Sequence, residues 1–374
     1  MQSYFRFFMA ILGLLAAIAF LEIPAHAVPG VLERPAMITA RASKSVLLAV
    51  TSAGTRLVAV GERGIILFSD DNGTSWRQAK VPVSVTLTAV RFMTPRTGWA
   101  LGHSGIVLHT EDGGETWIKQ IDGRQAAQLV YDAVQAEAKT GKGKAEELEK
   151  RLAAAKQILE EGADKPFFDM YFENERSVFI VGAYNLMFHT EDGGKSWQSW
   201  QDHIENPKGL HLYGIRSSGT DLFVVGEQGL FLRSKDQGKT FASVRTPYAG
   251  TYFGLIAGKS GELVLYGMRG QAFWSGNRGA TWEKIETGVS LSLTDGKELP
   301  DGALVLVSQE GVVLVSRDKG RSFRKITLQT SSSFEGVEQA ADGSLILVGG
   351  RGVSRIPKPD LSASTSPTAN GARK

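Results

Sequence analysis

An eight-residue motif recurs six times in this sequence and restricts what the chain can fold into. Its pattern is Ser or Thr, any residue, Asp or Asn, any residue, Gly, any residue, Ser or Thr, and an aromatic residue. The copies lie at 69–76, 110–117, 190–197, 234–241, 275–282 and 316–323. An Asp or Asn side chain can cap backbone N–H groups, Gly can adopt a left-handed conformation, and the aromatic residue anchors the next strand. We interpret each copy as a tight turn between two strands, here named the Asp turn, with the capping residues Asp71 (or Asp70), Asp112, Asp192, Asp236, Asn277 and Asp318.

The spacing of the Asp turns indicates the architecture. Their terminal aromatic residues lie 41, 80, 44, 41 and 41 residues apart. Within each period, short runs rich in Val, Ile and Leu alternate with turn residues, which indicates four antiparallel strands per unit. A repeat of this length and content is typical of a β-propeller blade. A seventh unit begins near Ser333 and its third strand ends around Ile356. The sequence therefore predicts an all-β fold, a seven-bladed β-propeller over residues 28–356.

The two ends of the repeat suggest how the ring closes. The seventh unit lacks an Asp turn and a fourth strand, whereas Ala36–Ala42 is a short strand candidate ahead of the first unit. Pairing these two open edges would remove them both and lock the ring. We therefore predict that Ala36–Ala42 is the fourth strand of the seventh blade.

The step of 80 residues contains an insertion over 123–165. Apolar residues recur at helical spacing in Gln125–Lys139 and again in Ala145–Glu161, and Thr140–Gly143 interrupts the pattern. This predicts an inserted helical hairpin. Two interpretations stay open: the hairpin is a structural addition packed on neighbouring blades, or it is a docking arm for a partner.

Residues 1–27 and 357–374 are predicted to lie outside the propeller. Arg6 precedes the apolar run Phe7–Leu21, and Ala25-His26-Ala27 has the small-x-small pattern of a cleavage site. We interpret residues 1–27 as a secretory signal peptide cut after Ala27, with an uncleaved anchor as the alternative. The chain is then expected in the periplasm or another extracytoplasmic space. The tail 357–374 is rich in Ser, Pro and Ala and is predicted to be disordered.

Composition excludes several classes of function. The sequence has 42% hydrophobic and 22% charged residues, which is typical of a soluble globular protein. A net charge of +3 gives no reason to expect a nucleic-acid partner. The absence of cysteine excludes disulfides, thiolate metal sites and a cysteine nucleophile. His109 and His189 occupy a strand position that varies freely between units, so no metal site and no cofactor are predicted.

The candidate binding site lies in the turns between the second and third strands of each unit. In a propeller these turns gather on one face near the axis, and the insertion is predicted to start on that same face. Three arginines there are placed to form a basic patch that grips carboxylates or an acidic peptide. The alternative is that they are scattered, solvated charges paired with Glu62, Glu227 and Glu310. The candidate partner-binding residues are Arg63, Arg269, Arg351, Tyr184, Glu62, Glu227 and His103.

The Asp turns look like the Asp boxes of bacterial-neuraminidase-repeat (BNR) propellers. The fuller unit from Val181 to Trp197 resembles that of the photosystem II stability/assembly factor family, and the resemblance covers roughly residues 45–356. It implies an extracytoplasmic, non-enzymatic scaffold that binds a membrane protein or membrane complex, with no small-molecule substrate. The sequence does not show that its source is photosynthetic, because relatives of this type also occur in bacteria without a photosystem.

A sialidase-like glycoside hydrolase of the same fold is the alternative. Asp boxes specify the fold and not the function. Asn277 stands where the other turns have a carboxylate, and an amide cannot act as acid, base or nucleophile. We therefore interpret the Asp turns as structural. The carboxylates left for such chemistry are Glu62, Glu227 and Glu310, whose separation the sequence does not determine.

Overall fold

The computed structural model describes residues 30–140, 145–326, 328 and 332–358. The predicted signal peptide (1–27) lies outside these residues, as does the predicted disordered tail beyond Lys358. Within the described ranges, no helix is long and apolar enough to cross a membrane.

The strands form seven antiparallel sheets, and each sheet is made of strands that follow one another in the sequence. Six sheets have four strands and the seventh has three. The blades, in chain order, are β1 (Leu47–Ala53), β2 (Arg56–Gly61), β3 (Ile66–Ser69) and β4 (Arg77–Gln78); β5 (Leu87–Phe92), β6 (Gly98–Gly102), β7 (Val107–Thr110) and β8 (Ile118–Ile121); β9 (Phe167–Phe172), β10 (Val178–Gly182), β11 (Met187–Thr190) and β12 (Gln198–Ser199); β13 (Leu212–Ser218), β14 (Asp221–Gly226), β15 (Phe231–Ser234) and β16 (Ala242–Ser243); β17 (Tyr252–Ala257), β18 (Leu263–Gly267), β19 (Ala272–Ser275) and β20 (Glu283–Ile285); β21 (Leu293–Glu298), β22 (Leu304–Ser308), β23 (Val313–Ser316) and β24 (Arg324–Ile326); and β25 (Phe334–Gln339), β26 (Leu345–Gly349) and β27 (Gly352–Ile356).

The seven sheets close into a ring. The first strand of each blade lies beside the first strands of its neighbours, so that β1 contacts both β5 and β25. Hydrophobic clusters fill the space between successive blades, including one between blades seven and one that contains Leu47, Leu57, Ile346 and Val348. The second strands are almost wholly apolar because neighbouring blades cover both of their faces. The prediction of an all-β, seven-bladed propeller is confirmed.

The prediction for the closing strand is wrong. Ala36–Ala42 forms no strand, and its partners belong to blade one instead of blade seven. The N–H of Ala36 donates to the carbonyl oxygen of Val81 at 3.0 Å, and the N–H of Thr39 donates to Oε1 of Gln78 at 3.0 Å. The segment therefore lies along the outer strand of blade one, with Met37 72% exposed. Among the described residues, blade seven has three strands.

The insertion folds as predicted, into α1 (Gly123–Thr140) and α2 (Ala145–Glu161). Asp122 caps α1: its Oδ1 accepts from the N–H of Arg124 at 3.0 Å, and its own N–H donates to Oε1 of Gln125 at 3.0 Å. Val130 and Val134 of α1 are buried in the same cluster as Trp197 of blade three. Helix α2 fully buries only Ala155 and leaves most of its surface exposed.

Candidate functional site

The Asp turns use their carboxylates internally. Asp192 accepts from the N–H of Ser196 at 2.9 Å, from the hydroxyl of Ser196 at 2.6 Å and from the hydroxyl of Thr190 at 2.8 Å. The other copies repeat this arrangement, and in the first copy Asp71 is the capping residue, whereas Asp70 pairs with Arg56 and Arg77. In the fifth copy, Nδ2 of Asn277 donates to Oγ1 of Thr281 at 2.8 Å. These side chains hold turns together and do not converge on a cleft.

The capping bonds change the acidity of these groups. The Ser75 hydroxyl lowers the pKa of Asp71 to about 2, the Ser196 hydroxyl lowers the pKa of Asp192 to about 2, and the Thr240 hydroxyl lowers the pKa of Asp236 to about 2. A carboxylate whose pKa is lower in the folded chain stabilises the fold above its unfolded pKa, which is about 4. That stabilisation is lost as the pH falls from about 4 towards 2.

Changing Asp192 to asparagine should preserve the turn and remove its acid sensitivity. We expect Asp192→Asn to fold like the Asn277 copy, while Asp192→Ala lowers the free energy of unfolding by about 1 kcal/mol. Chemical denaturation at pH 7 measures both values. Between pH 4 and pH 2 the wild type should lose more stability than Asp192→Asn. Equal acid losses in the two proteins would contradict the capping role of the carboxylate.

The turns between second and third strands lie together at one end of the ring, here named the turn face. Each turn starts beside the segment that leads into the first strand of its blade, as the bond from the N–H of Glu62 to the carbonyl oxygen of Val46 shows (3.0 Å). Arg63 (φ 53°), Tyr184 (φ 53°) and Arg269 (φ 57°) occupy the same left-handed position of their turns. The shared backbone conformation points these side chains away from the ring. Arg351 lies in the shorter turn between β26 and β27.

The arginines of the turn face have no acidic partner among the described residues. Arg63, Arg269 and Arg351 are exposed and form no ion pair in that part of the chain. The glutamates that the sequence offered as partners are engaged elsewhere. Glu62 accepts from the N–H of Val46 at 3.0 Å, Glu227 from the N–H of His211 at 3.0 Å, and Glu310 from the N–H groups of Ser290 and Leu291 at 2.7 and 2.8 Å. These carboxylates hold the lead-in to the first strands and form no ion pair with the three arginines.

Apolar and aromatic side chains lie between these charges. Tyr184 and Leu291 are each 51% exposed, and Met268 is also exposed. The ring of Tyr184 lies 4.6 Å from His211, whose neighbours include Phe168 and Tyr213. Aromatic residues and arginines are both enriched on protein-binding surfaces. His103, predicted as part of the site, is exposed at the base of α1, where Gly105 lies against Gly123.

The central channel carries charges that the sequence reading missed. The first strands line a cavity of about 330 Å³ around the ring axis. In it, Asp169 pairs with Arg216 and, at 2.9 Å, with Arg91, and Lys297 pairs with Glu338. Burial alone would raise the pKa of Asp169, but Arg216 and Arg91 outweigh it and hold the pKa below its usual range. The sequence signal for these channel charges was a polar residue within an apolar first strand. The same pattern is expected of a strand that faces solvent.

A second groove lies beside the turn of blade four. It measures about 440 Å³ and lies between the segments 205–210 and 243–249, which lead into blades four and five. Leu210, Leu230 and Tyr248 give it an apolar floor, and Lys208 and Arg245 lie at its border. The groove lies on the same side of blade four as its turn and adds an apolar depression there.

The histidines of the strand surfaces are structural. The ring of His109 lies tilted against that of Trp99 at 4.4 Å, and the ring of His189 stacks on that of Phe179 at 4.0 Å. Burial lowers the pKa of both imidazoles. Within the described ranges, no group of three or more His, Asp or Glu side chains is arranged to hold a metal ion.

The fold and the turn face define a class: an Asp-turn propeller with exposed arginines and apolar side chains on one face. A sequence model described as "Photosynthesis system II assembly factor YCF48" matches residues 69–142 and 149–354. The chain belongs to this family.

Individual relatives agree with the family assignment. "Photosystem II assembly lipoprotein Ycf48" of Synechococcus sp. (strain CC9902) is 24% identical over 131 residues, which are 34% of this chain and 39% of that protein. The aligned region thus spans about two-fifths of the curated relative. A solved structure of YCF48 bound to D1 peptide matches with a TM-score of 0.61 and 15% identity over 89% of this chain and 99% of that one. YCF48 from Cyanidioschyzon merolae matches with a TM-score of 0.59 and 12% identity over 86% of this chain and 97% of that one. At these identities the structural matches show the shared fold.

Proposed function

We propose that this chain is an extracytoplasmic, non-catalytic assembly factor that binds an acidic segment of a membrane protein through its turn face. The observation that carries the proposal is the set of three exposed arginines, Arg63, Arg269 and Arg351, which have no acidic partner in the described part of the chain. Cations kept unpaired on one face are available to a ligand with carboxylates.

The neighbouring side chains support a peptide as the ligand. Tyr184, Met268 and Leu291 add apolar contact area between the cations, and the groove beside Tyr248 has the width for side chains. An arginine guanidinium binds a carboxylate through two parallel N–H donors, which gives geometric selectivity as well as charge. The relative whose structure holds a D1 peptide is consistent with peptide binding by this fold.

The proposed compartment and partner class depend on the sequence. Residues 1–27 have the pattern of a secretory signal, so we place the propeller outside the cytoplasm, next to membrane proteins. Membership in an assembly-factor family supports a membrane complex as the client.

The absence of catalysis is also proposed from the site. The carboxylates expected for glycoside hydrolysis, Glu62, Glu227 and Glu310, belong to blades one, four and six and cap backbone N–H groups there. A retaining or inverting glycosidase needs two carboxyl groups within about 10 Å across one sugar. Because these carboxylates are committed to backbone N–H groups, we propose no acid–base role for them.

Reversing the three turn-face charges should abolish partner capture. We expect Arg63→Glu/Arg269→Glu/Arg351→Glu to reduce recovery of the client from detergent-solubilised membranes at least about tenfold, because carboxylates would repel an acidic ligand. Affinity purification of the tagged chain followed by quantitative mass spectrometry measures the recovery. Capture by the wild type should also weaken as salt is raised.

A matched control changes the same net charge elsewhere. Lys195, Lys235 and Lys239 are exposed residues of the Asp turns, at the opposite ends of the third strands from the turn face. Lys195→Glu/Lys235→Glu/Lys239→Glu should capture the client like the wild type. Equal losses in the two triple variants would show a general effect of charge and would overturn the turn face as the site. Removing the hairpin is a less clean test, because α1 covers Trp197.

A further inference from the structure

We propose that the outer edge of β27 is a second binding site, which takes an extended acidic peptide as the fourth strand of blade seven. The inference goes beyond the turn face, with which it shares only Arg351. It starts from the one irregularity of the ring: six blades have four strands, and within the described residues the seventh has three.

The third strand of blade seven is less buried than the third strands of the other blades. The third strands of five blades, β3, β7, β11, β19 and β23, are buried at every position, and β15 is buried at three of four. In β27, by contrast, Val353, Ser354, Arg355 and Ile356 are all partly exposed. The cover that a fourth strand gives elsewhere is absent here among the described residues. A strand edge with unpaired N–H and C=O groups is a template for another strand.

The register identifies the free backbone groups. Val353 pairs with Val348 of β26 as Ile66 pairs with Val60 of β2. In blade one the carbonyl oxygen of Ile66 accepts from the N–H of Ala79, which follows β4, at 2.9 Å. Blades three and four repeat this bond, from Trp200 to Met187 (2.8 Å) and from Val244 to Phe231 (2.9 Å). We infer that Val353 and Arg355 point their backbone groups outward, and that Ser354 points its groups towards β26.

A groove runs along this edge. It measures about 670 Å³ and is bounded by Ser43 and Lys44 on one side, by the Asp turn of blade one on the other and by β27. Trp76 lines it and is half-buried. The side chain of Arg355 donates to the carbonyl oxygen of Asn72 at 2.9 Å, which fixes the wall formed by the Asp turn. The five residues of β27 offer about 17 Å of edge, enough for a short extended segment.

The charges that line the groove favour an acidic peptide as its occupant. The residues that line the groove include the cations Lys44, Arg351 and Arg355 and no carboxylate, although Arg355 already pairs with Asp342 at 2.5 Å. Lys44 and Arg351 are exposed and form no ion pair in the described part of the chain. An acidic peptide complements this lining, whereas a basic one is repelled. Strand addition then provides affinity through the backbone, and the cations provide selectivity.

The fourth strands of other blades suggest the pattern of a probe. Ile285 of β20 lies opposite Ala272, and Ile326 of β24 lies opposite Val313, the positions that correspond to Val353. A fluorescein-labelled peptide of sequence Thr-Glu-Glu-Ile-Glu-Thr would place its isoleucine opposite Val353, with glutamates on both sides. The N–H of that isoleucine would donate to the carbonyl oxygen of Val353.

Fluorescence polarisation with the purified chain tests the proposal. We expect saturable binding of the peptide, and binding at least about tenfold weaker when the isoleucine nitrogen is methylated, because methylation removes the donor. A peptide with lysine in place of glutamate should not bind.

Lys44→Glu should weaken binding of the peptide. Arg63→Glu/Arg269→Glu should leave this binding unchanged and still impair the turn face. The two sites are thereby tested separately.

Amide hydrogen exchange gives a second readout that needs no variant. The bound peptide should slow exchange at Val353 and Arg355 and leave Ser354 unchanged. Equal affinity for the methylated peptide, or no protection at Val353 and Arg355, would overturn the proposal. Binding that appears only after removal of residues 359–374 would assign the edge to the chain's own tail. A dimer that dissociates when the peptide binds would show that a second copy of the chain occupies the edge. Either of these two results would overturn a partner peptide as the occupant.

Discussion

Replacing Asp169 by alanine is expected to destabilise the propeller by about 3–5 kcal/mol, because it leaves a buried charge without its partner. Asp169 is nearly inaccessible and pairs with Arg216 and Arg91 in the central channel. It also accepts from the N–H of Ile215 at 3.1 Å. These contacts join blades two, three and four. Losing them therefore weakens the packing between blades. Urea denaturation at pH 7 measures the free energy of unfolding.

A surface ion pair provides the control. Glu146 and Lys150 of α2 are 2.7 Å apart and both are largely exposed. Glu146→Ala should cost about 0.5 kcal/mol or less, because solvent screens the pair. The pKa of Asp169 lies below its usual range, so its contribution is complete at neutral pH and is lost as the pH falls through the folded pKa. A loss of less than 1 kcal/mol for Asp169→Ala would contradict the structural role of the channel charges.

Gly270→Ala is the second change with a large expected effect. Gly270 ends the turn of blade five with φ +66°, and a Cβ added there would lie 2.0 Å from the carbonyl oxygen of Val289. Val289 belongs to the segment that leads into blade six, so the clash is with backbone and cannot be relieved by a rotamer change. We expect a loss of about 2–5 kcal/mol, from the left-handed conformation and the forced backbone shift together. Thermal and urea unfolding measure it.

Gly209→Ala separates the two contributions. Gly209 has nearly the same φ, +63°, but no atom lies within 4 Å of an added Cβ. It should lose only about 1–2 kcal/mol, the cost of the conformation itself. If the two variants are equally stable, the close approach at Gly270 does not limit the fold. Gly64, Gly229, Gly311 and Gly352 approach the corresponding lead-in segments in the same way.

Local rules explain why so much of the fold could be predicted. An Asp turn is completed within eight residues, because Asp192 is bonded to Thr190 and Ser196 and to nothing distant. The helices of the insertion likewise start from a local capping arrangement at Asp122. Repetition then places seven similar sheets around an axis. The turn face follows from that symmetry, so the positions of Arg63, Tyr184 and Arg269 on one face were readable in advance.

Contacts between segments distant in sequence could not be predicted. Ala36–Ala42 has a composition that suits a strand, yet it lies along Gln78 and Val81 of blade one. The partner of an isolated short segment is the distant edge that its backbone and side chains match best in the folded ring, and the local sequence carries no signal for that choice. The same limit applies to Asp169, whose partner Arg216 lies 47 residues away in another blade.

The sequence by itself determined the blade, its turns and the number of blades, because each depends on hydrogen bonds and burial within about 40 residues. Only the tertiary structure decided which charges stay free. Glu62, Glu227 and Glu310 are next to the turn-face arginines in sequence or in the ring, but their carboxylates bind backbone N–H groups instead. Whether a carboxylate binds an N–H group or a guanidinium depends on side-chain geometry, and the repeat pattern does not specify that geometry. The N-terminal segment likewise packs on blade one, so that in the described part of the chain no fourth strand covers β27.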